Sequence, residues 1–175
     1  GGEDRVILAH ALALSAGGIP LLYLGDEVAQ LNDYSYTDHP DNAGDSRWVH
    51  RPPRSSGAYE QRTDAATAAG RVFRRLTRLI AVRQATPEFA GNELPASRTP
   101  HPALVAPQRP GREAGDDRVL VLANVGDHPV HIDALTLSGF WPAASDIIDG
   151  TPRDVTRGIT LPAHACTWLR VTPIA

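Results

Sequence analysis

The sequence predicts an α/β part followed by a small antiparallel β domain, and three observations lead to this prediction. An apolar helical pattern over residues 4–16 is followed, after two glycines, by the short apolar stretch "IPLLYLG". No periodicity is visible over residues 25–62, and beyond residue 91 short β-like runs alternate with Gly, Pro and Asp. A helix leading into a strand that is apolar on both faces is typical of a parallel sheet, whereas short alternating runs are typical of a β-sandwich.

The composition is typical of a globular protein and argues against several classes of function. The 175 residues are 42% hydrophobic and 21% charged, with a net charge of −3. We therefore expect a packed core, and we expect neither a nucleic-acid partner nor a polybasic membrane anchor. No methionine is present, so we expect a fragment or a processed product of a longer chain.

The first element is predicted to be a helix over "DRVILAHALALSA", which is rich in the strong helix formers Ala and Leu. Gly17 and Gly18 end it, and Pro20 begins the apolar stretch that we interpret as a buried strand. Residues 7–25 contain no charged side chain. Because this apolar run is broken in the middle by glycine and proline, we interpret it as helix, turn and strand rather than a membrane span.

The segment 25–62 is interpreted as an ordered binding loop. Loops of this length inside a compact domain are uncommon, and they are usually either functional or disordered. Tyr34, Tyr36, Trp48 and Tyr59 lie among its charges, which favours order over disorder. Its most conspicuous feature is Asp26 next to Glu27, directly after the apolar stretch.

A second helix is predicted to follow, with Asp64 or Thr67 as its N-cap and Pro87 as its stop signal. One face repeats at helical spacing and consists of Val72, Phe73, Leu76, Leu79, Ile80 and Arg83. The remaining arginines are interpreted as a solvated face.

The β half is predicted from runs such as "RVLVLANV", "PVHI", "DII" and "CTWLRV". A domain boundary near residues 90–95 fits the change of character, so that residues 1–90 form one domain and residues 91–175 the other. Cys166 and Trp168 lie in an alternating pattern that predicts a core strand, with Cys166 as a small buried residue rather than a nucleophile.

Four ordered blocks resemble one known family. "GGIPLLYLGDE" is similar to the segment over barrel strand eight of glycoside hydrolase family 13, the α-amylase superfamily. The four blocks are "YLGDEVAQLND", "GDSRWVHRP", "YEQRTDAATAAGRVF" and "RLIAVRQATPEF", and in this order they resemble the amylosucrases of that family. The resemblance is strong to about Phe89 and weak in the β half. The resemblance implies the end of a (β/α)8 barrel, comprising its last helix, strand, loop and helix, followed by a small antiparallel β-sandwich.

The resemblance implies a sucrose-using glucosyltransferase that cleaves sucrose and transfers glucose to an α-1,4-glucan. Sucrose and α-glucan are then the expected partners, and the rest of the barrel is expected upstream in the intact chain. A cytoplasmic location is expected, with secretion as the alternative.

The candidate substrate-binding residues are Arg47, Asp26 and Glu27. In a barrel of this kind, binding groups come from the carboxyl ends of the strands, where Asp26 and Glu27 are expected to lie. The resemblance implies that Arg47 pairs with an aspartate of an earlier barrel loop and closes a glucosyl pocket, a task that suits its planar guanidinium. All three side chains are expected to face one sugar-sized hollow. The alternative is that they form structural pairs within the loop.

The neighbours Asp45, Trp48, His50 and Arg51 are expected to support the loop rather than to touch sugar, although Trp48 could serve as a stacking platform. No histidine has ligand-like spacing, so no metal site and no cofactor are expected. The resemblance places the catalytic carboxylates on strands four, five and seven, before this chain begins. We therefore expect no catalytic residue in this chain, and no activity from it alone.

Three alternatives remain open at this stage. One is a sister enzyme on the same scaffold, such as a sucrose hydrolase or another α-glucosidase. Another is a non-catalytic carbohydrate-binding β module, for which Phe140, Trp141 and Trp168 are the available aromatic residues. The third is a truncated product without a function of its own, whose uncovered apolar faces would make it poorly soluble.

Overall fold

A computed structural model describes residues 1–92, 99, 101–111, 113, 115–139 and 143–174. The helices in this part of the chain are α1 (Gly2–Ser15), α2 (Ser56–Glu60) and α3 (Ala68–Gln84). The strands are β1 (Leu104–Val105), β2 (Gln108–Arg109), β3 (Arg118–Asn124), β4 (Val130–Ile132), β5 (Ala143–Asp146), β6 (Pro152–Asp154), β7 (Ile159–Leu161) and β8 (Cys166–Val171).

The chain divides into two compact units. One unit consists of Leu21–Arg75, and the other consists of Gly1–Pro20 together with Leu76–Ala175. The domain boundary predicted near residues 90–95 falls partly on residues 93–98, which lie outside the described residues, and it stays a prediction.

The β half forms two antiparallel sheets around one core. The larger sheet has the order β1–β3–β8–β5–β6, with β2 also paired to β3, and the smaller sheet pairs β4 with β7. Leu120 and Leu122 of β3 share a buried cluster with Ile132 of β4 and Leu161 of β7, so both sheets contribute to the same core. This is the small antiparallel domain that the sequence predicts.

Strand β3 is buried along nearly its whole length because both of its faces are covered. On the face opposite the shared core, Trp168 of the neighbouring strand is fully buried and meets Phe89 edge-to-face at a centroid distance of 4.8 Å. Trp168 is therefore a core residue, as predicted, and is not exposed to bind sugar. The other two aromatic candidates for a binding platform, Phe140 and Trp141, lie outside the described residues.

Helix α1 ends close to its predicted end, and an arginine from α3 satisfies its last carbonyls. Arg83 donates hydrogen bonds to the carbonyl oxygens of Leu14, Ala16 and Gly18. These are groups that the helix cannot pair by itself. Burial lowers the pKa of Arg83, but a guanidinium remains charged at any physiological pH.

Helix α3 confirms the predicted periodicity and the predicted cap. The side chains of Val72, Leu76 and Leu79 are buried on one face. The Thr67 hydroxyl accepts a hydrogen bond from the Gly70 amide at 3.0 Å, which identifies Thr67 as the N-cap residue.

The strand predicted over "IPLLYLG" is not formed. Residues 19–22 have no regular secondary structure and pair with no strand of the described residues. Ile19 is 98% exposed and Leu21 is 85% exposed, so the prediction of a buried strand was wrong for this chain. The physical reason is that a β-strand is stabilised by backbone hydrogen bonds to neighbouring strands. Without such neighbours, an apolar stretch does not form a strand.

Candidate functional site

The candidate site begins at the point where the exposed apolar segment turns into the long loop. Gly25 has φ of +106°, a conformation that glycine adopts without steric cost. A short 3₁₀ turn over Asp26–Val28 follows, and the buried side chain of Val28 anchors it. Ala29 then takes a second left-handed conformation and reverses the chain.

Asp26 lies on the wall of a small hollow. The hollow has a volume of about 250 Å³ and is lined by residues 23–26 and 30–32 with His50 and Pro52. All of these residues belong to the unit Leu21–Arg75. Among the residues that line the hollow, Asp26 is the only acid, so this carboxylate is its only fixed negative charge.

Glu27 is held on the other side of the turn. Its Oε1 accepts a hydrogen bond from the Tyr59 hydroxyl at 2.6 Å, and its Oε2 accepts one from the Gly25 amide at 2.8 Å. Burial acts to raise the pKa of Glu27, but these hydrogen bonds and the nearby Arg54 guanidinium together hold it below its ordinary value. Glu27 is therefore an ionised structural anchor of the turn.

Tyr59 joins this anchor to the rest of the loop. Its ring is buried with Val28 and Ala69, and the Arg54 guanidinium lies 4.2 Å from the ring centroid. Burial, followed by the Glu27 carboxylate, raises the pKa of Tyr59. The hydroxyl therefore remains a donor to Glu27 at neutral pH.

Arg47 is paired within its own loop. Its Nε donates to Asp45 Oδ1 at 2.8 Å and its Nη2 donates to Asp45 Oδ2 at 2.7 Å, while its side chain is 72% exposed. Asp45 also caps the 3₁₀ turn Ser46–His50 by accepting a hydrogen bond from the Arg47 amide. The hydrogen bonds from Arg47 lower the pKa of Asp45 to about 2, and Asp45 raises the pKa of Arg47.

The three predicted binding residues do not share a hollow in this structure. Asp26 lines the hollow, Glu27 anchors the turn, and Arg47 faces solvent. The expectation that all three face one cavity is corrected on two physical grounds. Neighbouring residues in a tight turn point in different directions, and an aspartate two positions away offers Arg47 a partner at little cost in chain entropy. Their roles in substrate binding remain predictions.

Asn32 and His50 are the lining residues whose position sequence reasoning missed. His50 Nδ1 lies 3.1 Å from Asn32 Oδ1 across 18 positions of the chain. His50 was expected only to support the loop, whereas the structure places it on the wall of the hollow. No local pattern marks this pair, because the contact depends on how the two ends of the loop fold back on each other.

A larger hollow of about 1350 Å³ lies in the other unit, and both of its arginines are engaged by neighbouring groups. Arg170 pairs with Glu88 at 3.3 Å, and the fully buried Arg109 donates to the carbonyl oxygens of Glu88 and Gly91. We interpret this arrangement as a structural connection between the segment after α3 and the β-sheet. Burial also raises the pKa of the Cys166 thiol to about 12, which disfavours the thiolate form at neutral pH.

Within residues 1–92 and the described part of the β half, no cluster of three His, Cys, Asp or Glu side chains is arranged to hold a metal ion. Over the same part of the chain, no helix has the length and apolar character needed to cross a bilayer.

Comparison with known proteins gives no match to any family model. Glucosylglycerate phosphorylase of Escherichia coli (strain K12) is 34% identical over 86 residues, which are 49% of this chain and 15% of that protein. This chain therefore spans only a small part of the length of this curated relative.

Solved structures match nearly the whole chain. An Anoxybacillus α-amylase superimposes with a TM-score of 0.64 at 18% identity, over 98% of this chain and 33% of that one. A mutant of MutB in complex with the substrate sucrose superimposes with a TM-score of 0.69 at 15% identity. The match covers 96% of this chain and 38% of that one. A second MutB mutant, in complex with glucose, gives 0.63 at 14% identity over the same shares.

These likenesses establish the fold. The mixed architecture of helices and antiparallel sheets matches part of each of these solved structures, which confirms the predicted fold class apart from the strand over "IPLLYLG" that is not formed. The chain spans between a third and two fifths of the solved structures it matches.

Proposed function

We propose that this chain is the C-terminal part of a sucrose-using glucosyltransferase of the amylase type. The intact enzyme would cleave sucrose, release fructose and pass the glucosyl group to an α-1,4-glucan or to water. The observation that carries the proposal is the fold match over 96% of the chain to a structure that holds sucrose, of which it covers 38%. The four sequence blocks that resemble amylosucrases give the finer assignment.

In this proposal, the chain supplies part of the substrate pocket rather than the reacting groups. Retaining glycosidases use two carboxyl groups about 5 Å apart, one as nucleophile and one as general acid/base. The hollow in this chain is lined by the single carboxylate of Asp26. The reacting carboxylates would therefore come from the part of the enzyme outside this chain, and Asp26 would accept hydrogen bonds from sugar hydroxyl groups.

The position of Arg47 does not support a role in the substrate pocket. Its guanidinium is engaged by Asp45 and faces solvent, so its geometry in this chain gives no support for a pocket wall. The partner that the resemblance implies, an aspartate of an earlier barrel loop, is not a residue of this chain. An Arg47→Ala variant of the intact enzyme tests this point, and an unchanged kcat/KM for sucrose would exclude Arg47 from the pocket.

A second candidate is a phosphorylase that transfers the glucosyl group to inorganic phosphate. The 34% identity to glucosylglycerate phosphorylase over 86 residues favours it. Both candidates handle a glucosyl group, and they differ in the acceptor. The acceptor side of the pocket is not defined by the hollow around Asp26, so product analysis must separate the two.

The role of Asp26 is tested by Asp26→Asn in the intact enzyme. Because the substitution replaces a charged acceptor by a neutral amide of nearly equal size, we expect kcat/KM for sucrose to fall at least about tenfold. Asp41→Asn is the matched control, since Asp41 is an exposed acid of the same loop outside the hollow. Equal kcat/KM values for the wild type and Asp26→Asn would remove Asp26 from the substrate site.

A further inference from the structure

The hollow around Asp26 has a second polar wall, formed by Asn32 and His50. Both residues line it, and their side chains meet at 3.1 Å between His50 Nδ1 and Asn32 Oδ1. Each residue comes from a different end of the loop, so the wall exists only when the two ends are folded together.

Several contacts hold the two ends in register. The Asp33 amide donates to the Val49 carbonyl at 2.9 Å, directly beside the Asn32–His50 contact. Gln30 Nε2 donates to the Pro53 carbonyl at 2.6 Å, and Gln30 Oε1 accepts from the Ser55 amide at 3.3 Å. Both ends of the Gln30 amide are thus used to hold the segments together, which leaves Asn32 and His50 as the polar pair on that side.

The chemistry of this pair suits hydroxyl groups. When His50 Nδ1 donates to Asn32 Oδ1, the His50 Nε2 atom is an acceptor and the Asn32 amide group is a donor. Two neighbouring hydroxyl groups of a sugar ring need donors and acceptors at adjacent positions, since each hydroxyl can do both. Asp26 adds a further acceptor on the same hollow.

Size and charge exclude other classes of small ligand. A volume of about 250 Å³ lies below the range of pockets that hold drug-sized molecules, so it suits one ring rather than an oligosaccharide. An anion would be repelled by the Asp26 carboxylate. A divalent cation such as Ca²⁺ prefers six to eight oxygen ligands, which one carboxylate does not supply.

We propose that Asn32 and His50, together with Asp26, form a subsite that binds the hydroxyl groups of a single neutral sugar ring. This inference rests on the proposed function, because it specifies which side chains of this chain hold the sugar. It also makes an independent statement, namely that binding depends on the His50–Asn32 contact and not on Arg47.

The test measures the Kd for glucose and for sucrose in the intact enzyme by NMR titration. His50→Leu and Asn32→Leu each remove hydrogen-bonding groups from the wall, so we expect the Kd for glucose to rise about tenfold. His50→Asn retains a nitrogen donor near the Nδ1 position and is expected to recover at least part of the affinity. His39→Leu is the matched control, since His39 is an exposed histidine of the same loop outside the hollow.

A measurement on the wild type does not depend on whether the variants fold. Addition of glucose should shift the imidazole signals of His50 and leave those of His39 unchanged. Equal glucose Kd values for the wild type and His50→Leu, or an unmoved His50 signal, would overturn the subsite. If the enzyme still turned over sucrose in that case, the proposed function would be unaffected. A wild type that binds neither sugar would overturn both.

Discussion

At the scale of single residues, Asp26 and Glu27 show how two adjacent carboxylates acquire different tasks. Glu27 accepts hydrogen bonds from Tyr59 and Gly25 and so fixes the turn, whereas Asp26 lies on the wall of the hollow. The turn that separates them depends on the left-handed conformation of Gly25. The two adjacent acids therefore have different surroundings, and only Glu27 is used as an anchor of the turn.

A Glu27→Gln variant tests the anchor. At pH 7 we expect the free energy of unfolding to fall by about 1 kcal/mol, because a charge-assisted hydrogen bond becomes a neutral one at a partly exposed site. The pKa of Glu27 is lowered from an ordinary value of 4.5. Its stabilisation is thus fully present above pH 4.5 and is lost as the pH falls through the lowered value.

Chemical denaturation of the wild type and the variant at several pH values measures this difference. The two curves should converge at acidic pH. Glu60→Gln is the matched control, since Glu60 is an exposed acid on α2. A Glu27→Gln effect that stays constant between pH 7 and pH 3 would contradict an ionised anchor.

Some side-chain positions could be predicted from the sequence, and others could not. The buried character of Trp168 could be predicted, because strand alternation fixes which face a side chain occupies. The partner of Arg47 could not, because a long flexible side chain can reach several acids and the choice depends on loop geometry. The contact between Asn32 and His50 had no sequence signal for the same reason.

At the level of secondary structure, the C-terminal end of α3 and the segment after it make contacts with both α1 and the β-sheet. From the last turn of this helix, Arg83 reaches the carbonyl groups at the end of α1 and the turn beyond it. The segment that follows α3 brings Phe89 against Trp168 of β8. This helix end therefore connects α1 with the β-sheet.

An Arg83→Met variant tests this connection. Methionine keeps much of the aliphatic length but cannot donate to the carbonyl groups of α1, so we expect the free energy of unfolding to fall by about 2 kcal/mol. Arg74→Met on the exposed face of the same helix is the matched control and should change it by less than about 0.5 kcal/mol. Equal effects of the two substitutions, measured by denaturant titration, would show that Arg83 does not cap α1.

The elements that could be predicted are those whose signal is local. Helix α3 follows from its period and from Thr67, and β3 and β8 follow from their runs of apolar residues, most of which are buried. Strands β1 and β2 have two residues each, too few to show a period. The apolar stretch before Gly25 was misjudged, because its pattern describes what it could pair with and not whether a partner is present.

For the whole molecule, the main feature is an apolar segment whose side chains are exposed to solvent. Ile19, Leu21 and Leu24 are 98%, 85% and 63% exposed. Exposed apolar stretches of this kind mark surfaces that are buried in an assembled state or that cause aggregation. In the proposed enzyme, the remaining part of the barrel would cover this segment.

The isolated 175-residue chain should therefore bind a hydrophobic dye. We expect the double substitution Ile19→Ser with Leu21→Ser to reduce dye fluorescence at least about twofold, because it removes the most exposed apolar side chains of the segment. The control is Val125→Ser with Ile174→Ser, two exposed apolar residues elsewhere in the chain. A larger reduction in the control than in the Ile19 and Leu21 variant would contradict this account of the surface.

The central claim, a glucosyltransferase that uses sucrose, is tested most directly by product analysis. The intact enzyme is incubated with sucrose alone, with glycogen and with inorganic phosphate, and fructose, glucose, glucose 1-phosphate and glycogen chain length are quantified. We expect fructose release in every case and, with glycogen present, chain elongation that exceeds the release of free glucose. Absence of fructose in all three reactions, or glucosyl transfer only to phosphate, would contradict this claim.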